Sequence, residues 1–113
     1  MRYVFGAVFL ALAVSPAAAA VPNPIATLLG PSIGYRMAQS DLCGWDSNDK
    51  LHTIYQKALV AIGMTDAQVA TVWSEAKTRM SALTSLPEAA IAHMKADICT
   101  PDRRAEFDRA IAD

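Results

Sequence analysis

Leu51, Ile54, Tyr55, Ala58, Leu59 and Ile62 recur at intervals of three and four residues, which places them on one face of a helix. Val69, Val72, Trp73, Ala76, Met80 and Leu83 repeat the pattern. Between the two stripes lies Gly63, which suits a left-handed helix stop, with Met64 as the hydrophobic partner of that stop. Thr65 follows, with Gln68 three residues on. That is the spacing of a capping box, in which each side chain satisfies the other residue's free N–H. Two stripes joined by a tight turn predict an antiparallel helical hairpin.

The flanking segments carry weaker versions of the same signal. Ile33, Met37, Ala38 and Leu42 predict a helix over 32–43 that Gly44 ends. The run from Trp45 to Asp49 predicts a turn in which Asp46 or Ser47 caps the next helix. Further on, Ser85 and Pro87 announce a helix with Ile91, Met94 and Ile98 turned inward. Thr100-Pro101-Asp102 starts a last one, to about Ala112, offering Ala105, Phe107 and Ile111. No period-two run of branched or aromatic residues competes. The fold expected is all-α: a small bundle of four to five short helices.

The N-terminal third divides differently. Arg2, the apolar run from Tyr3 to Val14, Ser15-Pro16 and Ala17 to Ala20 have the three parts of a secretory signal peptide. The run is about 12 residues long, against roughly 20 for a membrane-spanning helix. Residues 1–20 are therefore expected to be cleaved, leaving no stable membrane anchor. Residues 21–34 hold Pro22, Pro24, Pro31, Gly30 and Gly34 and read as an N-terminal arm. Asn23 could cap a short helix there, with Pro24 in its first turn and Gly30 just past its end. Its apolar residues Ile25, Leu28 and Leu29 are the candidate partner-binding positions. Residues 35–113 form the helical domain.

Export changes the meaning of the cysteines. Cys43 and Cys99 are the two in the chain, and pairing is the default in an oxidising compartment. A bridge over that span stabilises by roughly 4 kcal/mol in the chain-entropy model. The formal charge is −1, or −2 once Arg2 is removed. That balance argues against nucleic acid or an anionic membrane as partner, since both select basic surfaces.

Candidate chemistry is sparse. His52 and His93 have no companion at the i+3 or i+4 spacing of a metal pair. Met37, Met64, Met80 and Met94, taken with these histidines, raise the chemistry of a soft metal, but adaptable core filler explains them better. Asp41, Asp46, Asn48 and Asp49 lack the central Gly and terminal Glu of a calcium loop. Glu75 and Glu88 are single carboxylates, and no serine lies in a nucleophile elbow. Trp45 and Trp73 read as packing anchors, and Arg103-Arg104 as a solvated pair. The expectation is a non-enzymatic protein with no cofactor and no metal.

The segment Cys99-Thr100-Pro101-Asp102-Arg103-Arg104-Ala105-Glu106-Phe107 resembles the stretch after the second cysteine in the HdeA-type periplasmic acid-stress chaperones. There, Cys-Thr precedes an acid, basic residues, Ala and Phe on the final helix. The general plan is similar too: an export signal, a short helical mature chain and one disulfide. The surroundings of Cys43 and the middle hairpin depart from that family. The resemblance implies a periplasmic location, if the source is a Gram-negative bacterium, and a holdase that binds other proteins when acid loosens it. With every carboxylate protonated the mature chain would carry about +12, and self-repulsion on that scale opens small bundles. A small-ligand or metal-ion carrier and a structural subunit of an envelope complex are the other readings.

Overall fold

The computed structural model describes residues 21–112, and the expected export segment at 1–20 lies outside them. Among the described residues there are five helices and no strand: α1 Asn23–Leu42, α2 Asn48–Ala61, α3 Asp66–Thr84, α4 Glu88–Ile98 and α5 Pro101–Ala110. The all-α bundle expected from the periodicities is the fold observed.

The first helix differs most from expectation. The arm and the helix expected after it are one continuous element of 20 residues, and Pro31 lies inside it. A boundary between 34 and 35 therefore falls mid-helix. Pro22 takes the N-cap position, and the side chain of Asn23 faces elsewhere: its Oδ1 accepts a hydrogen bond from Gln68 Nε2 at 3.1 Å. Pro31 removes one backbone donor and crowds the carbonyl four residues back. The helix persists because its tertiary contacts outweigh that local cost, as they do for most helices in folded proteins.

Those contacts explain the glycines. Ala26, Gly30, Gly34 and Ala38 recur every four residues and are all buried. A Cβ built on Gly30 would lie 2.4 Å from Glu75 Cβ and 2.9 Å from the Val72 carbonyl oxygen. One built on Gly34 would lie 2.4 Å from the Ala76 carbonyl oxygen. The stripe lets α1 and α3 meet backbone to backbone, and theirs is the most extensive helix contact in the fold. Positions 30 and 34 face 72–76 and 76–79 in the same order. The two helices therefore run parallel, and α2 is the return leg between them.

This rearranges the expected hairpin. The turn chemistry is as expected: Gly63 has φ +93°, Met64 N donates to Leu59 O, and both side chains are in the core. The Thr65–Gln68 capping box is present in both directions. Yet α2 and α3 touch little along their length, and the Trp73 side chain of α3 reaches across to His52 and Gln56 of α2. Leu51 and Leu59 are sealed on α2, while Ala58 and Ile62 of the stripe are exposed.

The last two helices attach at one end. Gly44 (φ +67°) closes α1, with Trp45 N donating to Ser40 O at 3.0 Å. Ser40 Oγ then accepts from Ser47 N at 2.9 Å. Ser47 is the N-cap of α2 but forms no side-chain cap bond, and its hydroxyl donates to Trp45 O instead. Ser85 ends α3 rather than starting α4, whose N-cap is Pro87. Only Ile98 is buried on α4. On α5, Thr100 caps Arg103 N, Phe107 is fully buried, and Ala105 is exposed. Ile111, just past its end, joins Phe107, Leu51, Val72 and Ile33 in a single core.

Candidate functional site

Cys43 and Cys99 sit at disulfide distance, with Cα atoms 5.4 Å apart. The bridge ties the end of α1 to the junction of α4 and α5. Beside it, Gln39 is buried and its Nε2 donates to Ile98 O at 2.8 Å, a second tie across the same junction. Gln39 Oε1 and Asn48 Oδ1 are buried without a protein partner.

The continuous α1 changes the expected partner-binding trio. A helix advances about 100° per residue, so Leu28 and Leu29 cannot share a face. Leu28 is 69% exposed and Ile25 43% exposed, whereas Leu29 turns inward and packs against the core. In its place stands Tyr35, 37% exposed and seven residues on from Leu28, with Ser32 between them. Ile25, Leu28 and Tyr35 thus form a solvent-exposed ridge along α1, outside its buried contact with α3. Val60 and Ile62, at the end of α2, are also open to solvent.

Beside the ridge is a groove of about 420 Å³ lined by Pro31, Ser32, Tyr35, Arg36, Arg79 and Leu83. The close approach at Gly34 builds it: Arg79 leaves α3 directly beside that glycine. Among the described residues the ion pairs are Arg103–Glu106 at 3.4 Å and Arg104–Asp108 at 3.5 Å, both along α5. Arg36 and Arg79 belong to neither. Residues 21–34, with their prolines and glycines, carry no sign of this groove when they are regarded as an arm. On a continuous helix the spacing of Ile25, Leu28, Ser32 and Tyr35 would have exposed it.

A second cleft, of about 430 Å³, is lined by Met37, His52, Ala70, Trp73, Ser74 and Lys77. His52 is stacked on Trp73 with ring centroids 4.2 Å apart and planes 19° from parallel. Trp73 Nε1 donates to Gln56 Oε1 at 2.7 Å. A third cleft, of about 490 Å³ at the starts of α1 and α3, presents Asn23, Thr27, Thr65, Gln68 and Thr71. Several of its polar groups are already engaged. Thr27 and Thr71 hydroxyls donate to carbonyls of their own helices, and Gln68 clamps Thr65, Asn23 and Val21.

The remaining candidates are scattered. Met64 is buried; Met37, Met80 and Met94 are half-buried, each on a different element or face. His93 is exposed on α4, far along the chain from His52. Among the described residues no group of three or more His, Cys, Asp or Glu side chains could hold a metal ion, and no helix is long and apolar enough to cross a membrane. Trp45 anchors α5: its ring lies 5.1 Å from that of Phe107, with the Arg104 guanidinium 5.1 Å from the Trp45 centroid.

Compared with protein families, characterised proteins and solved structures, the chain matches none.

Proposed function

We propose that this is an exported, non-enzymatic protein that binds other proteins through the outer face of α1, in the manner of a stress-linked holdase. The observation that carries the reading is the ridge of Ile25, Leu28 and Tyr35, which the fold leaves open although a small domain needs apolar burial. Three large side chains at i, i+3 and i+10, with Ser32 at i+7, line one face of the helix, and a helix face of that kind can engage a partner. The similarity of Cys99 to Phe107 to the acid-stress chaperones adds the condition under which capture would strengthen. Once the carboxylates are protonated, net positive charge opposes compaction while the bridge at Cys43 and Cys99 limits how far the chain can open.

The test is light scattering from an aggregation-prone client at about pH 2.5 and pH 7, with oxidised protein and with an Ile25→Ser, Leu28→Ser variant. The reading expects suppression of aggregation, stronger in acid and reduced in the variant. Absence of suppression at both pH values overturns it. The cleft holding the His52–Trp73 stack favours a second reading, a small-ligand carrier. A thermal-shift screen against aromatic and cationic compounds tests that one, since a ligand bound to the folded state raises the melting temperature.

A further inference from the structure

We infer that the groove beside Tyr35 selects an acidic protein segment, its carboxylates held by Arg36 and Arg79 and its apolar side chains laid along Leu28 and Leu83. The inference rests on the protein-binding reading above and adds the chemistry of the partner at neutral pH, where its carboxylates are charged; the acid-strengthened capture would use the apolar ridge instead.

Three observations carry it. The first is the position of the two arginines. They come from different helices yet line one groove, and neither takes part in the ion pairs of the described residues. The two arginines that do form ion pairs, Arg103 and Arg104, use acids on their own helix. Arg36 is moreover half-buried, which fixes its stem along the groove. A guanidinium in that setting can donate two parallel N–H bonds to the oxygens of one carboxylate.

The second is the sign of the surroundings. The chain as a whole is slightly acidic, at a formal −1, but no carboxylate lines this groove. The nearest acid on α3 is Glu75, one turn before Arg79, and it lines a neighbouring cleft of about 260 Å³ with Pro31, Thr78, Arg79 and Ala82. Its Cβ is pinned at the Gly30 crossing, and its carboxylate forms no ion pair with Arg79. A local positive groove on an acidic protein repels basic partners and attracts acidic ones where it stands.

The third is the mixed chemistry of the groove lining. Pro31, Tyr35 and Leu83 are apolar or aromatic, Leu28 is an exposed apolar residue one turn before Pro31 and Ser32, and Arg36 and Arg79 share the lining. A free inorganic anion would use the charges and leave the apolar residues idle. A purely apolar segment would bury the arginines against nothing. An extended segment that alternates acidic and aliphatic side chains uses both.

The experiment is fluorescence polarisation with two labelled decapeptides, one alternating Leu and Glu, the other alternating Leu and Gln, against the oxidised full chain at pH 7 and low salt. The acidic peptide is expected to bind roughly ten-fold tighter than the neutral one, and rising salt should erode that difference. An Arg36→Gln, Arg79→Gln variant should erase the preference. Because Arg36 is half-buried, the single Arg79→Gln at an exposed position is the second variant, expected to reduce the preference without disturbing the circular dichroism spectrum. Equal binding of both peptides, unaffected by the arginine variants but lost in Leu28→Ser, would overturn the acidic-partner inference and leave the protein-binding reading standing. No binding of either peptide, together with a failed client assay, would overturn both. Arginine-dependent capture by phosphatidylglycerol vesicles in place of the peptide would replace the protein segment with a membrane surface.

Discussion

Replacing Gly34 with alanine is the sharpest test of the architecture, because two effects of opposite sign compete there. In an unconstrained helix the change stabilises by about 1 kcal/mol, since alanine is the better helix former. Here the new methyl would sit 2.4 Å from the Ala76 carbonyl oxygen, 2.8 Å from Arg79 Cβ and 3.0 Å from Ala76 Cα. Two of these three atoms are backbone and the third is attached directly to it, so no side-chain rotation relieves the overlap. The helices must separate, and overpacking of this kind costs about 1–3 kcal/mol or more. With the closest contact on a rigid carbonyl, the upper part of that range applies, and the net effect is a loss of about 1–2 kcal/mol. For a domain of this size that lowers the melting temperature by roughly 5–15 °C. Chemical and thermal denaturation of oxidised Gly34→Ala, followed by circular dichroism, measures it. An additional Ala76→Gly change should not rescue the variant, since the obstruction is the carbonyl and not the Ala76 methyl. A Gly34→Ala protein as stable as the parent, or more so, would refute the close parallel crossing of α1 and α3.

Other changes probe the remaining joints. Reduction, or the Cys43→Ser, Cys99→Ser variant, should cost about 4 kcal/mol for a bridge of sequence separation 56, read as a shift in denaturant midpoint between oxidised and reduced protein. Phe107→Ala empties a fully buried site beside Trp45 and should cost about 3–5 kcal/mol, with a change in tryptophan emission as α5 loses its anchor. Thr65→Ala removes the acceptor of the Gln68 N–H and should cost about 1 kcal/mol by the same denaturation assay. Removing the exposed Arg103–Glu106 pair should leave stability within about 1 kcal/mol of the parent.

The parts of this fold that were legible in the sequence are those fixed by local chemistry. Gly63 and Gly44 end helices because each takes positive φ, and Thr65 and Gln68 form their box whatever packs nearby. The stripes of α2 and α3 gave the right helices, and Val69, Val72 and Ala76 the right face. The partner of that face was not legible. An apolar stripe at intervals of three and four residues marks α2, so a hairpin of α2 on α3 followed from it. The face that α3 buries most intimately is covered instead by Ala26, Gly30, Gly34 and Ala38, which hydropathy scores as almost nothing. Small residues every four positions are a packing signal of their own, read from the absence of side chain rather than from its character. With Pro22, Pro24 and Pro31 interspersed, the same glycines looked like the composition of an arm.

That one misreading also hid the candidate site. Seen as an arm with one short helix, Ile25, Leu28 and Leu29 fall together on one side of it. Wound into α1, they separate: Leu29 joins the core, while Ile25 and Leu28 line up with Tyr35 outside it. The glycine crossing is what gives the outward ridge its neighbours. By letting α3 approach within backbone contact, Gly34 brings Arg79 and Leu83 up beside Tyr35 and Arg36, which turns a bare helix face into a walled groove. A bulkier residue at 34 would push α3 away and widen or dissolve that groove. The stability of the α1–α3 crossing and the shape of the proposed binding surface therefore depend on the same two glycines. Buried periodicity reports what a helix packs against, and a binding surface is what packing leaves uncovered. It becomes readable only once the path of the whole helix is known.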